Sequence, residues 1–186
     1  MFNLSQDNFA IEVAKRWIKD VVVRYNFCPF AAQVVDNDAI RYQNIDSRNK
    51  KMCLEQFVSE LQLLDENSSI ETTLMIFSQG LADFFDYLDF LQLAEEKLVE
   101  LEYEGRYQLA SFHPNYIFDG CDYDAAENYT NRSPLPIIHI LRESSIEAAL
   151  EGYIEPESIP ERNIQCANRL GARHLQNILL KCTEVS

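Results

Sequence analysis

The sequence predicts an α+β protein, an α/β two-layer arrangement in which a mixed sheet of about four strands packs against helices. Three observations lead there. Two long stretches, residues 7–25 and 81–101, carry apolar side chains at helical spacing. Four short runs favour extended structure, and one of them, "TTLMIF", is continuously apolar. Helices and strands then alternate until two strands follow one another, an order that suits a split βαβ (ferredoxin-like) topology.

In the first helix Phe9, Val13, Trp17, Val21 and Tyr25 recur at every fourth position, Ala10, Ala14 and Ile18 widen the stripe, and Ser5 or Asp7 is placed to cap it. Cys28-Pro29 ends it, because the residue before proline avoids helical geometry. A strand is expected over 39–45, where Ile40, Tyr42 and Asn44 alternate with Arg41, Gln43 and Ile45. Leu54, Phe57, Val58, Leu61 and Leu64 give a helix over 47–65, and residues 72–77 read as a strand covered on both faces.

The helix over 81–101 is expected to bury Leu81, Phe84, Phe85, Leu88, Leu91, Leu98 and Leu101. Its acidic side is read as a solvated face, with a docking surface as the alternative. Gly105 follows it, where a left-handed residue is free of steric penalty. Residues 107–112 and 136–141 supply the last two strands. A short helix then runs to Leu150, Pro156 and Pro160 punctuate a loop, and one closing amphipathic helix turns Ile164, Ala167, Leu170, Leu175 and Ile178 inward.

The 186 residues fit a single globular domain, 1–186, with no repeat or low-complexity tract. The net charge of −14, from 30 acids against 16 bases, argues against nucleic acid, which draws on a basic surface, and against anionic membranes. No apolar run approaches a membrane span, and the first residues lack a secretory pattern. Five cysteines without a C-x-x-C pair point to reduced thiols and a cytoplasmic location.

Candidate chemistry collects between the last two strands. Residues 113–133 form a long connection, and such loops inside compact domains are commonly functional. His113 stands just past a strand and could exchange protons near neutrality, or could equally be a strand cap bonded to backbone. His139 lies among aliphatics in the last strand; it is a core residue unless His113 lies beside it, in which case the two share proton transfer. Arg132 and Arg142 bracket that strand, and their planar forks fit phosphate or carboxylate two-pronged. The internal alternative ties Arg132 to Asp124 or Glu127, and Arg142 to Glu143 or a neighbour.

Asn131 and Ser133 are the loop's best-placed polar ligand contacts, although such residues also build turns. Cys28 is either a nucleophile, if a cation lowers its pKa, or a packing residue, as Cys53, Cys166 and Cys182 are read. His113, His139, Cys121, Asp119, Asp122 and Asp124 lack metal-ligand spacing, no metal site is assigned, and no motif identifies a cofactor.

The strings "NFCPFA", "TTLMIF", "YQLASFHPNYIF" and "NYTNRSPLPIIHILRES" resemble, in order and from Trp17 to about Gly171, the bacterial and plant family known as domain of unknown function 1415. The resemblance implies a single-domain soluble protein. It carries no reaction or ligand, but its hallmark strings include Cys28, His113, Asn131, Arg132, Ser133, His139 and Arg142. The residues themselves support a hydrolase or transferase acting on a small anionic substrate. Arg132 and Arg142 would hold the anion, His113 and His139 would move the proton, and Cys28 is the optional nucleophile. The alternatives are a binding or assembly module in which the loop is structural, and metal- or Cys28-dependent redox chemistry.

Overall fold

A computed structural model describes residues 6–184; Ser5 and the side chain of Asp7, the expected caps of the first helix, lie outside it. The elements are α1 (Gln6–Trp17), prolonged by a π-helical segment (Ile18–Val23), α2 (Ala31–Asp36), β1 (Ile40–Asp46), α3 (Lys50–Glu66), β2 (Thr72–Gln79), α4 (Phe84–Glu100), β3 (Tyr107–Phe112) and a 3-10 turn (Ala126–Thr130). After these come β4 (Ile137–Arg142), α5 (Glu143–Leu150), a second 3-10 turn (Pro156–Ser158), α6 (Ile159–Leu170) and α7 (Ala172–Cys182). The class is α+β, with a four-stranded mixed sheet in the order β1-β2-β4-β3.

β1 and β2 pair in parallel, and β4 runs antiparallel to both β2 and β3. The crossover from β2 through α4 to β3 is therefore a split βαβ unit, with β4 inserted between its strands. The unit β1–α3–β2 is not split, because its strands pair directly. The ferredoxin-like resemblance thus holds for one half of the sheet only.

Strand β2 explains the layering. Met75 and Phe77 point to one face, where Phe57, Leu61 and Leu64 of α3 join Tyr87, Phe90 and Ala94 of α4. Leu74 and Ile76 point to the other, against Ala10, Ala14 and Trp17 of α1, Ala167 of α6 and Leu175 of α7. Side chains alternate across a strand, so a run buried on both faces needs cover on both. Helices cover both faces, as the apolar run of β2 requires, so the expected two layers become three with the sheet in the middle.

Two helical expectations change on inspection. Helix α4 buries Phe84, Tyr87, Phe90, Ala94 and Leu98, while Phe85 is 74% exposed. The inward seam uses Tyr87 and Ala94, which hydrophobicity alone ranks below Phe85 and Leu88. The buried phenol of Tyr87 donates to Ile137 O at 2.8 Å and accepts from Phe112 N at 3.1 Å, joining helix to sheet. The closing helix is two helices, broken at Gly171, whose φ of +81° lies in the region that favours glycine.

Candidate functional site

The loop between β3 and β4 is folded around its own polar residues. Asn128, fully buried, accepts from Phe118 N at 3.0 Å and donates to Asp122 O at 2.8 Å and Tyr123 O at 3.1 Å. Arg132 is 4% exposed. Its Nε donates to Tyr116 O at 3.0 Å, its Nη2 to Tyr123 O at 2.7 Å, and its guanidinium lies 4.6 Å from the ring centroids of both Tyr123 and Tyr129. Main-chain carbonyls and ring faces hold this charge, in place of the expected anion and of Asp124 or Glu127. The Arg132 carbonyl in turn accepts from Trp17 Nε1 at 3.1 Å.

Asn131 donates to Ser111 O at 3.2 Å, and the buried Ser133 donates to Leu135 O at 2.5 Å, so both are scaffold. Arg142 serves the far end of the sheet. It donates to Ile70 O at 3.1 Å, to Asn67 O at 3.2 Å, to Tyr107 Oη at 3.1 Å and to Leu64 O, closing the carboxyl end of α3. Neither guanidinium has its fork free for a substrate, which corrects the anion-holding role expected for the two arginines.

The two histidines do not converge. His113 follows Phe112 directly, so the strand turns them to opposite faces. Phe112 packs edge-on to Trp17 on the α1 face, with ring centroids 5.0 Å apart. His113 is fully buried on the α4 face, 5.2 Å from the Phe84 ring and 5.1 Å from the Tyr87 ring. Its Nδ1 accepts from Asn115 N at 3.0 Å, which leaves the proton on Nε2 to donate to Leu81 O at 3.0 Å. Desolvation lowers its pKa, with the Leu81 carbonyl and the Asp83 charge opposing. This is a satisfied neutral core histidine that ties β3 to the entrance of α4.

His139 lies on the other side of the sheet, facing α1. Strand register sets Leu74 on one side of it and Ala110 on the other. There the sheet forms the floor of a cavity of about 300 Å³. Trp17 and the π-helical residues Ile18 and Val22 form one wall, and residues of α2 and α5 form the rim. Neither α2 nor α5 contains a buried residue, and an edge-on contact between Phe30 and Tyr153, 5.4 Å between centroids, bridges the rim.

The hydrogen bonds around His139 assign its tautomer. Thr72 Oγ1 lies 2.6 Å from Ile140 O and 2.5 Å from His139 Nε2. A hydroxyl has one proton, and the carbonyl can only accept, so Thr72 donates to Ile140 O and accepts from His139 Nε2–H. Nδ1 keeps its lone pair and has no partner among the described residues, nor is it a sealed, unsatisfied atom. The ring is partly accessible through the cavity yet enclosed by protein, and desolvation lowers its pKa to about 4.

Cys28 shares this cavity with His139. Its residue is exposed at the opening, but the surrounding protein raises its thiol pKa by desolvation, which the backbone N–H groups of Phe30 and Ala31 only partly offset. That shift disfavours the thiolate a nucleophile requires. Cys121 donates to Glu127 Oε1 at 2.6 Å, and among the described residues no three His, Cys, Asp or Glu side chains group as metal ligands.

Of the expected site residues, the structure brings together His139, Cys28 and, with its guanidinium bound to carbonyls, Arg142 around one cavity, and leaves His113, Arg132, Asn131 and Ser133 as fold-holding parts. The cavity also uses Trp17, Thr72 and Ala110, which were not expected as site residues. The available signals were that Trp17 is the single tryptophan of the chain and that Thr72 and Ala110 fall within the strings "TTLMIF" and "YQLASFHPNYIF". No helix of the described residues is long and apolar enough to cross a membrane. No curated protein and no solved structure matches the chain. The family described as "Protein of unknown function (DUF1415)" matches residues 10–177, and the chain belongs to that family.

Proposed function

We propose that this chain is a small-molecule-binding module whose ligand, neutral and largely apolar, occupies the cavity between the sheet and the π-helical end of α1. The observation that carries the reading is the cavity itself: about 300 Å³, walled mainly by apolar side chains, with the neutral His139 imidazole on its floor and, among the described residues, only Glu71 and the carbonyl-bound Arg142 as charged residues in its lining. Enclosed apolar clefts with a few placed polar groups are the usual form of ligand sites, and this one lies at the small end of their range. The π-helical wall adds weight, because such segments are rare and gather at functional sites.

A hydrolase or transferase for a small anion finds less support. Arg132 and Arg142 are committed to carbonyls, Cys28 is disfavoured as a thiolate, and His139 is too weak a base at neutral pH. The reading is therefore the binding module with a structural 113–133 loop, in a cytoplasmic setting consistent with five free cysteines.

The test uses Trp17, the only tryptophan, as a reporter on the cavity wall. Titration with camphor or borneol, two compact neutral terpenoids, is expected to give a saturable change in Trp17 emission. Ala110 lies directly across from His139, so Ala110→Leu fills the floor and should abolish the response while the protein stays folded. A wild-type protein without a saturable change, or an Ala110→Leu variant that responds as wild type does, sinks the reading.

A further inference from the structure

We propose that the cavity selects ligands that donate a hydrogen bond, taking neutral alcohols and phenol-like hydroxyls over ketones and ethers of the same shape, because Thr72 fixes His139 with its proton on Nε2 and leaves Nδ1 as a bare acceptor. The inference rests on the cavity reading above and adds the chemical class of the occupant.

At His139 itself three features make the selection one-sided; Glu71, Gln108 and Ser145 also line the cavity. The tautomer is held by a neighbour in the cavity lining: the Thr72 proton is committed to Ile140 O at 2.6 Å, so the hydroxyl cannot turn to donate to the ring. The cationic donor in the lining is committed as well, since the Arg142 guanidinium is anchored on Ile70 O, Asn67 O and Tyr107 Oη while the residue contributes to the cavity edge. Ala110, opposite His139, carries only a methyl group, so a ligand body can lie on the floor beside the ring.

A hydroxyl brought to Nδ1 completes the imidazole's hydrogen bonding. A carbonyl brought there sets two lone pairs against each other in a largely apolar site, and a buried polar atom left unpaired is costly. Burial also keeps the imidazole neutral, with a pKa of about 4, so the lone pair persists at neutral pH.

Borneol and camphor differ at one position, a hydroxyl against a carbonyl, and otherwise share a rigid skeleton. The Trp17 titration at neutral pH is expected to give borneol a dissociation constant about tenfold below that of camphor, the scale of one hydrogen bond made or refused. His139→Leu should remove the preference by weakening borneol while camphor binds as well as before or better. Thr72 keeps its bond to Ile140 O in that variant, and retained camphor binding reports an intact cavity. Thr72→Val should also erode the preference, because it frees the imidazole to change tautomer. Equal affinities in the wild type, or a preference that survives His139→Leu, overturn donor selection and leave the cavity reading standing. No saturable response to either compound overturns both.

Discussion

Arg132→Ala is expected to destabilise the protein by about 3–4 kcal/mol, the scale seen when a buried charged hub is removed and its partners are left unpaired. Truncation strands the carbonyl of Tyr116, leaves Tyr123 O with Asn128 Nδ2 as its remaining donor, and opens the space between the Tyr123 and Tyr129 rings. Arg132→Lys should be nearly as damaging, since an ammonium lacks the planar fork that reaches both carbonyls from between two rings. Denaturant unfolding gives the magnitude, and hydrogen exchange should place the loosening in residues 114–131. A variant that unfolds at the wild-type midpoint contradicts the structural role assigned to this arginine.

Acid is expected to have a comparable effect through the two buried imidazoles. Burial lowers the pKa of both His113 and His139, the latter to about 4, against an ordinary value of 6.5. The unfolded chain then binds more protons than the folded one below pH 6.5, so stability is fully present above that value and falls as the pH drops from 6.5 towards 4. For His139 alone the loss by pH 4 is on the order of 3 kcal/mol. Asp65 extends the decline. Burial opposes its ionisation, but hydrogen bonds from Tyr103 and Tyr107 and the charges of Arg106 and Arg142 outweigh that and hold its pKa below the ordinary value. Stability from this carboxylate is lost only as the pH falls further. Urea midpoints measured from neutrality down to about pH 4 should slope downward below 6.5, and His139→Leu should flatten part of the slope. A flat wild-type profile over that window contradicts neutral burial of the two rings.

Much of the fold was legible because burial leaves periodic traces. The run "TTLMIF" demanded cover on both faces, and β2 is indeed the strand with helices on either side. The helix over residues 7–25 carried a finer signal. A strict four-residue repeat gains about 40° per step on an α-helix of 3.6 residues per turn, so Val13, Trp17, Val21 and Tyr25 could not share one narrow face unless the helix widened. It does so at Ile18–Val23, where Phe27 N reaches back five residues to Val22 O at 2.9 Å.

The site was less legible, for a definite reason. His113 and His139 are near each other in the chain and belong to one hairpin, but their faces depend on register, which the sequence does not state. The pairing of Ala110 with His139 puts Phe112 and His139 on the α1 side and His113 on the other. The arginines misled through their scarcity: in a chain with 16 bases against 30 acids they looked free for an external anion, whereas they close internal carbonyl gaps. The cavity is assembled from Trp17, Thr72, Ala110 and His139, which are distant in sequence and meet only through sheet order.

The most direct test of the account is where a neutral terpenoid settles on the protein. Nuclear Overhauser contacts from the methyl groups of bound borneol should reach the methyl groups of Ala110 and Leu74 and the ring of Trp17. Contacts confined to exposed side chains such as Phe85 and Met52, or none at saturating borneol, would contradict it.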